Sequence, residues 1–197
     1  MEFDTLVREA RSCRRFHESS RLSSAVLTGL VDCARIAPCG ANRQSLRYIV
    51  TVDAERNARL CAALKWAAYL TDWKGPEEGE RPAGYIIILS DPEESKNPSV
   101  DLGIAAQTIM LGASAQGLGC CMLGAFDRKA VAAMLDVPPH YEVLLVLALG
   151  VPAERRVLDP VAGDGSIRYW RDAEGVHHVP KRSLETVLVA TFGDDNE

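Results

Sequence analysis

The feature that most constrains this fold is residues 100–116, VDLGIAAQTIMLGASAQ, which are apolar or small on almost every side of a helix. Such a helix must be buried over most of its surface. A chain of 197 residues offers few positions of that kind. We therefore predict either a central core helix or, preferably, a helix at a subunit interface. Small residues favour the interface because they let a partner helix approach closely: Gly103, Ala105, Ala106, Gly112 and Ala113.

The rest of the pattern predicts one α/β or α+β domain over residues 1–197, in which strands alternate with helices. Strands are predicted at 47–52, 85–89, 120–123, 141–149 and 167–170, and further helices at 24–36, 57–70 and 127–135. The run YIIIL at 85–89 is typical of a strand buried on both faces. Residues 159–197 are predicted to be a loop-rich C-terminal arm.

Composition excludes several classes of partner. A net charge of -5 and a pI near 5.4 favour neither nucleic acid nor an anionic membrane surface. No apolar run approaches the roughly 20 residues that span a bilayer, and the N-terminus does not resemble a signal peptide. These features predict a soluble cytoplasmic protein.

Six cysteines raise the question of disulfides or a metal site. None forms C-x-x-C, and adjacent Cys120 and Cys121 should point to opposite faces of a strand. We expect reduced cysteines that serve packing, and no metal site.

Three segments have side chains suited to binding chemistry. Residues 11–16, RSCRRF, combine Arg11, Ser12 and Arg14, which could bind a phosphate, although a basic run after a helix is more often a solvated terminus. Residues 37–44, APCGANRQ, place two amides in a tight turn, which could bind a ring edge or be an ordinary turn. Residues 117–126, GLGCCMLGAF, contain G-x-G but lack the dinucleotide-binding fingerprint.

Together these motifs resemble the nitroreductase family in order and spacing. The basic start resembles 11–16, the family's P-S-x-x-N-x-Q turn resembles 38–44, and its interface helix ending in G-L-G resembles 101–119. A glycine near the flavin is matched by Gly124, and the basic C-terminal element is similar to 180–185, PKRSLE. The chain departs from the family pattern at Cys39, where serine is usual, and at Ala10, where a second basic residue is common.

The resemblance implies an α+β fold, an α/β sandwich in which helices flank a central mixed sheet. It also implies an FMN-binding, domain-swapped homodimer in which each flavin lies between subunits. One subunit would supply Arg11, Ser12 and Arg14, the Leu123–Gly124 backbone facing flavin N5, and Lys181 or Arg182. Arg14 would approach the N1–C2=O edge. The partner would supply its turn, through Pro38, Cys39, Gly40, Asn42 and Gln44. The C-terminal arm, which carries Val187, Leu188, Val189 and Phe192, would dock on the partner.

The implied activity is transfer of electrons from NAD(P)H to an electron-poor acceptor, such as a nitroaromatic, quinone or enone, by a ping-pong mechanism. Alternatives are a flavin dehydrogenase or dehalogenase of narrow specificity, a flavin-binding redox sensor or carrier without turnover, and an interaction module without flavin. Trp66, Tyr69 and Trp73 flank the acidic loop 72–82. They either pack beneath a solvated loop or, as we predict for Trp66 and Tyr69, line a substrate pocket.

Overall fold

A four-stranded sheet is the centre of the unit Met1–Glu154 in the computed structural model, which describes residues 2–193. The elements of this unit are α1 (Phe3–Glu9), α2 (Ser24–Ile36), a 3-10 turn (Gly40–Asn42), β1 (Leu46–Thr51), α3 (Ala54–Ala63), β2 (Gly84–Ser90), α4 (Ser99–Ala115), β3 (Gly119–Leu123), α5 (Arg128–Met134) and β4 (Glu142–Gly150). A second unit, Arg155–Glu197, contains β5 (Arg156–Pro160), β6 (Trp170–Arg171), β7 (His177–Lys181) and α6 (Leu184–Val187). The predicted α+β class is confirmed.

The strand order of the central sheet is β1-β2-β4-β3, with every neighbouring pair antiparallel. The sheet was predicted to be mixed; its parallel pairing in residues 2–193 is an isolated bridge between Ser12 and Cys120. All seven residues of β2 are buried, which confirms the strand predicted to be covered on both faces. One face packs on α2 and α4, and the other packs on α3 and α5. Cys120 and Cys121 lie in different core clusters, as their adjacency on a strand predicts.

Helix α4 covers Ser99–Ala115, one residue earlier than predicted. Its inner side, which includes Ala106 and Ile109, is fully or nearly fully buried against the sheet and α2. Its outer side is exposed at Val100, Gly103 and Gln107. The helix is therefore a core helix on one side and a surface helix of largely apolar character on the other.

Helix α3 was predicted to cover 57–70, and that prediction is wrong at both ends. The helix begins earlier because Asp53 caps it, accepting a hydrogen bond from the backbone N–H of Arg56 at 2.8 Å. It ends at Ala63 because the next residues pair with a distant segment: Leu64 forms a bridge with Phe126, and the Lys65 N–H donates to the Ala125 carbonyl at 3.0 Å. This tertiary pairing therefore overrides the helix propensity of residues 64–70.

The second unit has more order than the loop-rich arm that was predicted. Its three strands form a sheet of order β5-β7-β6, and the predicted strand at 167–170 is reduced to β6. His178 bonds to Asp172 and Asp159 through its two ring nitrogens, at 3.1 and 2.7 Å, and both bonds raise the pKa of the imidazole. Trp170 stacks on the same ring at 4.0 Å.

The end of the second unit exposes apolar side chains. Val189 and Phe192 are 96% and 95% exposed, and Leu184, Val187 and Leu188 are more than half exposed. No helix within residues 2–193 is both long and apolar enough to cross a bilayer.

Candidate active site

The basic segment, residues 11–16, lies along the edge strand β3. The backbone N–H of Cys13 donates to the Cys120 carbonyl at 2.9 Å, and Ser12 forms the parallel bridge with Cys120. The side chain of Arg11 donates from Nη2 to the Val7 carbonyl at 2.6 Å. Its Nε is buried without a hydrogen-bond partner, and within residues 2–193 Arg11 makes no salt bridge. Burial lowers the pKa of this guanidinium, so an anion beside Arg11 would relieve an unfavourable environment.

Arg14, three residues after Arg11, is buried within the chain. It is 8% exposed, and its Nε donates to the Trp66 carbonyl at 3.2 Å. Its backbone N–H donates to the Glu154 carboxylate at 2.5 Å. Arg14 therefore links the basic segment to the chain that follows α3. Its predicted contact with the N1–C2=O edge of a flavin stays a prediction.

The chain at 64–66 continues this arrangement, because the same bonds that end α3 hold it beside 124–126. Arg14, Trp66 and Gly124 are thereby brought to one edge of the sheet. Lys65 is exposed beside them and was not selected from the sequence. The signal that could have indicated Lys65 is a cation immediately before Trp66, the aromatic residue in the segment that follows α3.

Gly124 differs from the other residues of this group because it has no side chain. A Cβ at this position would meet the Leu145 Cδ1 atom at 3.8 Å, which is an ordinary contact. Its φ angle is not positive, so the backbone does not require glycine either. Leu123, its neighbour, is buried at 3% exposure, whereas Gly124 itself is exposed. Neither the packing nor the backbone conformation of this chain therefore requires a glycine at position 124.

The turn at 38–44 has an unusual backbone. Ala41, Asn42 and Gln44 all have positive φ angles, of 51°, 53° and 52°. Left-handed conformations are costly for residues other than glycine and concentrate at functional sites. The turn is stabilised by a residue of α4, because the buried carboxylate of Asp101 accepts a hydrogen bond from the Gly40 N–H at 2.8 Å.

Asp101 was not predicted to take part in the site. The sequence signal for it is a single acidic residue within the otherwise apolar α4. Behind the turn is a cavity of about 190 Å³, whose lining includes Pro38, Cys39 and Gln44. The side chain of Gln44 donates from Nε2 to the Asn42 carbonyl at 3.4 Å. The Gln44 amide therefore bonds to the backbone of its own turn, and the predicted contact of the two amides with a ring edge stays a prediction.

The turn and the basic segment lie at opposite edges of the sheet. The turn leads into β1, whereas the basic segment borders β3, and β2 and β4 lie between these two strands. Three strand spacings correspond to roughly 14 Å. Within one chain the structure thus brings Arg14, Trp66 and Gly124 to the edge formed by β3, along which Arg11 and Ser12 also lie, and it sets the turn apart from them. Lys181, the last residue of β7, and Arg182 belong to the second unit.

A larger cavity of about 700 Å³ lies between α3 and the loop that follows it. Trp66 and Trp73 both line this cavity. Tyr69, which was predicted with Trp66 as a pocket wall, is outside its lining and is 40% exposed.

Residues 7–151 match the sequence model of the Nitroreductase family. The chain belongs to the nitroreductase family. This match covers α2 to β4 together with the basic segment, the turn and Gly124, so the family pattern and the site geometry involve the same residues.

Similar proteins agree with this membership. A protein of Archaeoglobus fulgidus, provisionally named NADH dehydrogenase/NAD(P)H nitroreductase, is 25% identical over 150 residues, covering 72% of this chain and 81% of its own length. FMN reductase (NADPH) of Bacillus subtilis is 27% identical over 157 residues, covering 77% of this chain and 57% of its own. The crystal structure of a nitroreductase family protein from Clostridium novyi NT aligns with a TM-score of 0.65 at 25% identity, over 77% of this chain and 86% of that one.

Proposed function

We propose that this protein is an FMN-dependent oxidoreductase that passes electrons from NAD(P)H to an electron-poor acceptor. The observation that carries the proposal is the buried Nε of Arg11, which lacks a hydrogen-bond partner and lies in the segment bonded to β3, the strand that leads to Gly124. A cation in this state is suited to one terminal phosphate. The names of the relatives, FMN reductase and NAD(P)H nitroreductase, support the same cofactor and reductant.

The residues present fit FMN. Arg11 and Ser12, with Lys181 or Arg182, would bind its phosphate, and the Leu123–Gly124 backbone would lie at the ring. Arg14 would favour the reduced, anionic flavin by its positive charge. The partner's copy of the turn would hydrogen-bond the ring through the residues predicted for it: Pro38, Cys39, Gly40, Asn42 and Gln44. FMN supplies the hydride chemistry, so the protein must bind it, orient it and leave one face open.

We further propose ping-pong turnover in the cytoplasm with a nitroaromatic, quinone or enone as acceptor. Trp66 and Tyr69 would border the place of the acceptor. In a ping-pong mechanism NAD(P)H and acceptor occupy the same open face in turn, so neither needs a separate dinucleotide fold. This agrees with a chain in which G-x-G follows a helix and precedes a strand.

Purified protein is expected to be yellow, to release FMN rather than FAD on denaturation, and to oxidise many equivalents of NADH or NADPH per flavin when a nitroaromatic is present. A redox carrier without turnover would oxidise at most one equivalent per flavin under the same conditions. Protein that stays colourless after reconstitution with FMN would contradict the proposal, and release of FAD would contradict the choice of cofactor.

The open backbone at Gly124 gives a second prediction. Gly124→Ala should leave the free energy of unfolding of the flavin-free protein unchanged within about 0.5 kcal/mol, because the new Cβ makes only an ordinary contact. It should weaken FMN binding at least about tenfold if the ring lies against this backbone. Denaturant unfolding and FMN titration measure the two quantities. Gly163→Ala, where a Cβ would meet nothing within 4 Å, is the matched control.

The active unit that we propose is a homodimer. The turn and the basic segment lie at opposite edges of the sheet, so one chain alone does not assemble the implied flavin site. The outer side of α4 offers Val100, 73% exposed, and Gly103, at which a Cβ would meet nothing within 4 Å. A symmetric contact through α4 would bury this surface. The exposed apolar residues of the C-terminal arm would dock on the same partner.

A further inference from the structure

The cavity between α3 and the loop at 72–81 has the size of a small-molecule site. Its volume of about 700 Å³ is within the range of roughly 300–1,000 Å³ that is usual for such sites. One side consists of residues from α3 and the segment after it, and the other consists of the loop. The lining residues are Ala58, Cys61, Ala62, Leu64, Trp66 and, from the loop, Asp72 to Glu77 and Arg81.

The aromatic wall of this cavity is held in place by its neighbours. Trp66 is 6% exposed, and its Nε1 donates to the Cys61 carbonyl at 3.2 Å. Gly75 packs against the indole so closely that a Cβ there would lie 2.6 Å from Trp66 Cδ1. The loop reaches this position because Gly75 has a φ angle of +128°. Trp73, from the same loop, adds a second indole to the lining.

The least exposed charge in the lining of the cavity is positive. Arg81 is half-buried, and among residues 2–193 it has no salt-bridge partner. Burial raises the pKa of the Cys61 thiol at the cavity wall, Tyr85 and Arg81 act to lower it, and Glu18 acts to raise it, so Arg81 is near this wall. Asp72, Lys74 and Glu77 are exposed, so water screens their charges more effectively than that of Arg81.

We propose that this cavity binds a flat aromatic molecule that carries a carboxylate, with the ring against the indoles of Trp66 and Trp73 and the carboxylate at Arg81. Indole faces favour aromatic rings, and a guanidinium pairs with a carboxylate through parallel hydrogen bonds.

The cavity also adjoins the candidate flavin position. Leu64 and Trp66 line it, and the Lys65 N–H between them bonds to Ala125, the neighbour of Gly124. We therefore assign the aromatic carboxylate as an acceptor of the enzyme, and this part of the inference rests on the proposed function. The binding site itself is independent of it.

The test uses tryptophan fluorescence of the purified protein with the flavin that it carries. The chain has three tryptophans, and Trp170→Phe leaves the two in the cavity as reporters. The probes are 4-nitrobenzoate and its uncharged analogue nitrobenzene, both of which quench indole emission on contact. We expect saturable quenching by both, with 4-nitrobenzoate binding more tightly.

Arg81→Gln should weaken 4-nitrobenzoate binding by about tenfold or more and leave nitrobenzene unchanged. Arg59→Gln is the matched control, because Arg59 is an exposed arginine of α3 outside the lining. Ala62→Glu, at an exposed lining position, tests the same charge if Arg81→Gln does not fold, and it should also weaken the charged probe selectively. Equal affinities of parent and folded variants for 4-nitrobenzoate, or no saturable quenching, would overturn the inference.

Turnover separates this inference from the proposed function. Steady NADH oxidation with the uncharged quinone menadione, together with no binding of 4-nitrobenzoate, would overturn the inference alone. Selective binding of 4-nitrobenzoate by a protein that holds no flavin would support the site and overturn its assignment to an acceptor.

Discussion

Gly103→Arg is expected to convert the protein from a dimer into a monomer and to remove its FMN. The arginine would place a charge at the centre of the apolar outer side of α4, where a symmetric partner would bury it without a counter-charge. We expect the dimer dissociation constant to rise at least about a hundredfold, which corresponds to about 3 kcal/mol. Light scattering and the flavin absorbance of the eluted protein measure the two losses together.

The position is chosen so that the single chain tolerates the change. A Cβ at Gly103 would meet nothing within 4 Å. Arginine also favours a helix over glycine by up to about 1 kcal/mol. Ile109 on the same helix would be unsuitable, because it is fully buried in the chain's own core and a charge there would unfold it. Ala133→Arg, at an exposed position of α5 on the other side of the sheet, is the control. A Gly103→Arg protein that stays dimeric and yellow would refute the proposed interface.

Arg11→Ala is expected to weaken FMN binding by about 2–3 kcal/mol, or roughly 30- to 150-fold, because it removes a charge-assisted bond to a partly buried phosphate. Binding of riboflavin, which lacks the phosphate, should change little. Fluorescence titration of the flavin-free protein with the two ligands measures the difference. Arg11→Lys should recover part of the affinity, because it restores the charge without the second hydrogen-bond donor.

The control for this prediction is Arg15→Ala in the same segment. Arg15 already has a partner, since its Nε lies 3.1 Å from the Glu80 carboxylate, and it belongs to none of the proposed flavin contacts. FMN affinity should therefore stay near that of the parent. Titration curves that coincide for Arg11→Ala and the parent would exclude Arg11 as the phosphate ligand, and an equal loss for riboflavin would indicate general damage to the fold.

Several elements could be predicted from the sequence because local signals and burial agree there. The bounds of α2 were predicted to the residue, and those of β1, β2, α4, β3 and β4 to within about one residue. Each of these has a predominantly apolar pattern, and most are bounded by glycine, proline or a capping residue. In the site, the amides of the turn were selected from their donor and acceptor chemistry, and so were Arg11 and Ser12, which are adjacent in the chain. In the structure the turn is bonded to Asp101, and the segment that contains Arg11 and Ser12 is bonded to β3.

Other features could not be read from local pattern. The Ala- and Leu-rich 64–70 favours helix, yet Leu64 and Lys65 pair with 125–126, which lie some sixty residues away in the chain. The contact between Asp101 and Gly40 likewise joins segments that are 61 residues apart, and the single acidic residue in α4 does not indicate which segment it bonds. In the second unit, β5 and β7 are short and half-buried, so their period is too weak to predict a strand.

The sequence by itself determined that the domain combines helices and strands, the order of these elements, the apolar nature of α4 and the residues with phosphate- and ring-binding chemistry, because these follow from composition and spacing along the chain. Only the tertiary structure decided that α4 buries one side and exposes the other, that Gly124 needs no glycine for its own packing, and that the turn and the basic segment lie at opposite edges of the sheet. Periodicity states that a residue is buried or exposed, but strand order depends on long-range pairing that no window of sequence contains.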